Sequence, residues 1–211
     1  MSSILRQFRT APWSTRWFLR LRWWLTPYRK MTAHLPAEGS VLDLGCGHGL
    51  FAFAAAEGSP NRVVVGIDHD AARIDMAREA ARDLPRLSFA TGDILHPPEG
   101  MYAGVALIDL LHYFTPLDQE RLLRNAFEQL QSGGRLILRE VDPQHGPSSL
   151  LNRLYETIVT TIGFTRTRKE GFHFRKRREW EALMESCGFR ATSTPLSFFL
   201  FADVLFVGEK P

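Results

Sequence analysis

The stretch Asp43-Leu44-Gly45-Cys46-Gly47-His48-Gly49 sets one carboxylate and three glycines, spaced by two, at the end of an apolar run that begins at Val41. Glycine reaches the backbone conformations that a sharp strand-to-helix turn needs, and it lets main-chain N–H groups come close to a ligand. A helix-forming segment, Leu50 to Glu57, follows, so the free N–H groups of a helix start face the same place. That combination makes a nucleotide-type pocket at the carboxyl end of a parallel strand. The dinucleotide fingerprint G-x-G-x-x-G would need its third glycine at position 50, which is Leu50. Asp68 lies nineteen residues beyond Gly49, about where a carboxylate reaches a ribose diol. Farther on, an apolar run ends in Asp109-Leu110-Leu111-His112-Tyr113-Phe114. Imidazole titrates near neutrality, so His112 is the leading candidate for a general base. Tyr113, His145 and His173 are lesser ones.

Short apolar runs alternate with helical stretches from Ser40 onward, the signature of a doubly wound α/β fold with a parallel sheet. The strands are expected at Val41 to Leu44, Arg62 to Ile67, Leu87 to Ala90, Gly104 to Ile108 and Arg135 to Leu138, with two more at Phe189 to Ser197 and Phe199 to Val207. Asp70 caps a helix over Ala71 to Leu84, which Pro85 stops. Thr115-Pro116-Leu117-Asp118 starts another: threonine is the cap, proline takes the first helical position, and the acid faces the positive end of the dipole. Ahead of the sheet, Ser14 to Thr26 reads as an amphipathic helix with Trp17, Phe18, Leu21, Trp24 and Leu25 on its apolar face. Helices are also expected over Ser149 to Ile162 and Glu179 to Cys187.

The glycine motif in its D-x-G-x-G-x-G form, Asp68 after strand two, Thr91-Gly92-Asp93-Ile94 after strand three and Gln131-Ser132-Gly133-Gly134 before strand five together resemble the class I S-adenosylmethionine-dependent methyltransferases, from about residue 38 to the last residue. The resemblance implies a seven-stranded, mostly parallel sheet with an antiparallel last strand, plus the N-terminal amphipathic helix. It implies S-adenosylmethionine as cofactor, with S-adenosylhomocysteine as product. Asp43, Gly45, Cys46, Gly47 and Gly49 would serve the methionine end, Asp68 and His69 the ribose, Asp93 and Ile94 the adenine, and Asp109 the same pocket. His112 and Tyr113 would stand where the methyl points. An Asn/Asp-Pro-Pro-Tyr sequence, common in amino methyltransferases, is absent after strand four, so O-methylation of an aromatic or lipid-like small molecule is the leading expectation. The chain is also similar to small methyltransferases of bacterial pigment and polyketide pathways. The alternatives are C-methylation of a quinone-like lipid at a membrane, a nicotinamide-dependent oxidoreductase, which Leu50 disfavours, and a non-catalytic cofactor-fold binding module.

At 211 residues the chain suits one methyltransferase domain, 38–211, behind a basic aromatic helix or lid, 1–37, with a substrate-lid insert at about 141–178. Phe164, Phe172 and Phe174 in the insert, with Trp13 and Trp17, offer apolar surface to an acceptor. Two cysteines, Cys46 and Cys187, make no disulfide framework. The scattered histidines make no metal site. With no run near 18 apolar residues and no leader pattern, a cytoplasmic protein is expected, peripheral at most to the inner face of a membrane. The net charge is +3, yet residues 1–30 hold seven basic groups and no acid. A second basic cluster runs from Arg166 to Arg178. Two positive segments on one rim suit an acidic acyl carrier protein or an anionic membrane surface. Nucleic acid is disfavoured because no RNA-binding module is present.

Overall fold

A computed structural model describes residues 3–142, 171–198 and 201–211. The helix expected over Ser149 to Ile162, Arg166 to Lys169 of the second basic cluster, and most of the insert lie outside these. Three helices come first: α1 (Ser3–Gln7), α2 (Trp13–Leu25) and α3 (Tyr28–Thr32). Then β1 (Glu38–Leu44), α4 (Leu50–Gly58), β2 (Asn61–Asp68), α5 (Ala71–Ala80), β3 (Leu87–Thr91) and β4 (Tyr102–Ile108) follow. A 3₁₀ turn (Leu111–Tyr113) leads to α6 (Pro116–Gln129) and β5 (Leu130–Val141). The chain closes with α7 (Arg177–Ser186), β6 (Arg190–Phe198) and β7 (Phe201–Glu209).

The seven strands form one sheet in the order β3-β2-β1-β4-β5-β7-β6. β1 pairs in parallel with both β2 and β4, while β7 runs antiparallel between β5 and β6. The reversal of strand order beside β1 puts the ends of β1 and β4 at the switch point where open α/β sheets hold ligands. Side chains of the central strands are buried on both faces: every residue of β4 is buried, as parallel strands covered by helices require. One core packs α4 and α5 with Ile4, Phe8, Leu19, Tyr28, Met31 and Leu35 of the N-terminal region. The second lies under α6 and α7.

Asp70 accepts the Ala72 and Arg73 N–H groups at 3.0 and 3.3 Å, and Thr115 caps α6 through the Asp118 N–H at 3.2 Å. Three expectations shift. Helix α5 stops at Ala80 rather than Leu84, and the last turn tightens, with Leu84 N–H donating to the Ala81 carbonyl. Residues 131–134 belong to β5 rather than to a loop before it; Gly133, at φ 75°, bonds through its N–H to the Lys210 carbonyl. The buried face of α2 is also different. Trp17 and Trp24 are 63% and 66% exposed, and Thr15 and Leu19 are buried instead. The helix turns this way because its inner face carries Arg22, which finds an acid in the sheet.

Candidate active site

A cavity of about 460 Å³ opens where β1 and β4 end. Its glycine side is built by the turn between β1 and α4. Gly45, Gly47 and Gly49 all have positive φ, at 71°, 55° and 82°. A Cβ on Gly45 would strike Leu110, and one on Gly49 would strike the Phe89 ring at 2.6 Å, whereas one on Gly47 would meet nothing within 4 Å. Packing therefore fixes the outer two glycines, and the middle one leaves clear space beside the cavity. The Gly47 N–H donates to Asp68 Oδ2 at 2.8 Å, and the Asp70 N–H to Oδ1 at 2.9 Å. His69 Nδ1 stands 3.3 Å from the same Oδ1. Asp93, half exposed, accepts the Leu95 N–H at 3.0 Å.

Asp43 is 1% exposed, lines the cavity, and has an Oδ2 with no hydrogen-bond partner among the described residues. Burial, with the Asp68 charge adding, pushes its carboxyl up to about 8. A buried carboxyl in that state is neutral near pH 7 and ionises when a cation is brought against it. His48 moves the other way: burial, then the nearby Arg73 and Arg22, pull it down to about 4, so its ring is neutral at pH 7. Burial raises the Cys46 thiol, which keeps it protonated and unreactive.

The far side comes from distant segments. Phe18, Leu19 and Arg22 of α2, with Tyr28, line the cavity together with Asp109, Leu110, Tyr113 and Phe114. Arg22 donates to Asp109 Oδ2 at 3.0 Å and to the Tyr28 hydroxyl at 3.3 Å. Arg139 of β5, buried, bridges Asp109 and Asp203 of β7. Asp109 holds φ 54°, the one described non-glycine residue with positive φ. Such a backbone persists where its surroundings over-determine it, and here two guanidiniums grip its carboxylate.

The cavity thus gathers Asp43, Gly45, Cys46, Gly47, Asp68, His69, Asp93, Ile94, Asp109 and Tyr113. Gly49 caps α4 just behind it. His112 stands elsewhere: it is 0% exposed and outside the cavity lining. Its Nδ1 sits 2.7 Å from Glu140 Oε2, and Glu140 Oε1 accepts the Leu110 and Leu111 N–H groups at 3.1 and 2.6 Å. The Phe174 ring stacks on it at 5.3 Å, and the Tyr113 ring lies 4.2 Å away. His112 therefore backs Tyr113 rather than facing the cavity. The sequence reading missed Arg22, Tyr28, His48 and Arg73 as wall residues. Arg22 carried a signal, as an arginine on the face opposite the tryptophans. The others carried none.

The family model described as "Methyltransferase domain" matches residues 41–134. Over that segment the chain carries the methyltransferase-domain pattern, and its seven-stranded sheet has the fold of the class I methyltransferases. A trans-aconitate 2-methyltransferase of Rhodopseudomonas palustris is 32% identical over 148 residues, covering 68% of this chain and 56% of that protein. The chain thus spans little more than half the length of that curated relative. A chain in the complex of the Haloferax volcanii Trm112 methyltransferase activator with its methyltransferase superposes with a TM-score of 0.74 at 17% identity, over 100% of this chain and 99% of that one. PigF, solved with S-adenosylhomocysteine, gives 0.68 at 22%, over 93% and 58%. S-adenosylmethionine is the cofactor of this methyltransferase family, and the cavity fits it on its own terms. The buried Asp43, whose Oδ2 has no hydrogen-bond partner among the described residues, suits a positively charged ligand end, and the open space at Gly47 suits close approach to the backbone.

Proposed function

We propose that this chain methylates an acidic oxygen of a small aromatic or lipid-like acceptor, with S-adenosylmethionine as cofactor. The observation that carries the reading is one cavity with two unlike sides: buried carboxylates around a glycine turn, and an apolar, aromatic wall bearing one arginine. When bound, the cofactor supplies a methyl group on a sulfonium. Asp43 and the Gly45–Gly49 turn would hold its amino-acid end, Asp68 the ribose hydroxyls, and Asp93 with Ile94 the adenine. Asp68 keeps acceptor capacity for this after receiving two N–H groups. Methyl transfer is a direct displacement, so the protein's main work is to align the partners and exclude water.

On the far side, Phe18, Leu19 and Phe114 pack an apolar acceptor, while Arg22 orients its acidic oxygen. Tyr113 reaches the cavity and takes or orients the acceptor's proton. His112 serves through it as a positioning residue, itself held by Glu140. Helices α2 and α3 act as the lid over the acceptor. A second reading, methylation of a small polycarboxylate, draws on the trans-aconitate relative together with Arg22 and Arg73, which both line the cavity. Incubating the protein with S-adenosylmethionine and a panel of phenols, aryl and fatty acids, carrier-bound acyl groups and trans-aconitate tests both, with mass spectrometry for a methyl gain. Methylation of trans-aconitate above all others would replace the first reading by the second. Transfer only to carbon or nitrogen would refute both.

A further inference from the structure

Helix α2 has two working faces. Its inner face, Phe18, Leu19 and Arg22, walls the cavity. Its outer face carries Trp13, Trp17 and Trp24, which are 80%, 63% and 66% exposed. At 3.6 residues per turn, Trp13, Trp17, Arg20 and Trp24 fall within an arc of about 60°. Three exposed indoles on one stripe are far from the scatter of single apolar residues found on soluble surfaces. Indole is apolar with one N–H donor, which suits the headgroup level of a lipid surface better than either water or hydrocarbon.

The segment that carries the stripe has charge of one sign. Residues 1–30 contain no acid. Arg22 is turned inward, and Arg29 pairs with Glu57 at 3.2 Å. Arg6, Arg9, Arg20 and Lys30 are exposed, and Arg16 is half-buried beside the tryptophans. The second basic cluster offers less to a partner than its composition suggests. Arg175 donates to Gln119 Oε1 at 2.6 Å and covers the Trp180 ring, and Arg177 is engaged by Ser193 and Glu181. Basic groups interleaved with tryptophans on one helix fit anionic lipid, which offers phosphates and an apolar boundary together.

We propose that the outer face of α2 docks on an anionic lipid surface, with its tryptophans at headgroup depth and Arg16 and Arg20 on lipid phosphates. The docking does not depend on the methyl-transfer reading, and its test reads binding rather than turnover. The full chain is mixed with phosphatidylcholine vesicles, with or without phosphatidylglycerol, and sedimented. It should partition at least about tenfold more strongly onto the anionic vesicles, the preference fading as salt rises. Tryptophan emission should shift to the blue on binding. Trp13→Ala with Trp17→Ala should lower partitioning about tenfold. Arg16→Glu with Arg20→Glu should remove the anionic preference. Unchanged circular dichroism and thermal melts would show that both variants fold. Absence of partitioning onto anionic vesicles at low salt overturns the proposal, as does partitioning that ignores the tryptophan pair. So does ultracentrifugation showing a dimer that Trp17→Ala dissociates, which would assign the face to a second copy. Binding to an acidic carrier protein without vesicle binding would assign it to a protein instead.

Discussion

The glycine side of the cavity draws its polar groups from three short segments, 43–49, 68–69 and 91–94, each at the end of its own strand. The far side joins Arg22 to Asp109 across 87 positions and Asp109 to Asp203 through Arg139. On the first side, local sequence makes the geometry: glycines permit the turn and the strand end aims the acid. On the second, geometry exists only because buried charges find each other over long sequence separations. The lesson is that one wall of a cavity can be written in contiguous motifs, while the wall beside it is assembled from residues distributed through the chain.

The largest expected effect tests the distributed side. Arg139→Met would leave Asp109 and Asp203 facing each other in the interior and should cost about 3–5 kcal/mol of stability in chemical denaturation. A loss below about 1 kcal/mol would mean the far side does not depend on that bridge. Removing residues 1–30 should come next. It strips Ile4, Phe8, Leu19 and Tyr28 from the core and should lower the melting temperature by more than about 8 °C, each kcal/mol shifting it by about 2–4 °C at this size.

Asp43→Asn then tests the motif side. Cofactor or S-adenosylhomocysteine affinity should fall by about 1.5–3 kcal/mol, read by calorimetry. The sign with pH follows from its raised carboxyl, up to about 8. Below pH 8 the ligand-free protein holds a proton there that a cationic ligand must expel. Binding near pH 7 should therefore release close to one proton, seen by comparing buffers of different ionisation enthalpy, and should strengthen as pH rises toward 8. Because the folded carboxyl sits above its unfolded value, this group lowers stability as pH rises from about 4 to 8. The same Asp43→Asn change should accordingly raise ligand-free stability at pH 7 by about 0.5–2 kcal/mol. A variant that binds as well as the parent, with no proton released, would remove Asp43 from the site.

His112→Ala separates chemistry from support. A positioning residue should raise the acceptor KM and leave cofactor affinity within about twofold, with His112→Asn restoring part of the loss. A fall in turnover of about 10²–10⁴ with an altered pH profile would make His112 the base itself and would break the division between the sides. Cys46→Ala should have the smallest effect, below about 1 kcal/mol on melting, since the thiol only fills the turn.

The antiparallel closing strand was implied only by the family resemblance, whereas the order of elements and the parallel sheet were legible because periodicity, caps and glycines are local signals. So was the clustering of Asp43, Asp68 and Asp93, since parallel strands bring their carboxyl ends to one edge. The orientation of α2 was not. Its tryptophans made the more apolar stripe, yet the ion pair with Asp109 decided which face turned inward, and nothing near Arg22 in the chain names that partner. His112 was placed at the right strand end, but the 3₁₀ turn that buries it depends on Glu140 from another strand. No local pattern revealed how Arg175 and Arg177 would be engaged.

Asp109, twisted to positive φ between an arginine of α2 and an arginine of β5, bears on any attempt to build chimaeras. Swapping the first 37 residues for those of a related chain would look like exchanging a detachable cover. It would also remove one of the two hands holding that backbone in its twist. A graft therefore needs an arginine in register with Arg22, or a matching change at position 109, before it can be expected to alter acceptor choice without distorting the loop that carries Tyr113.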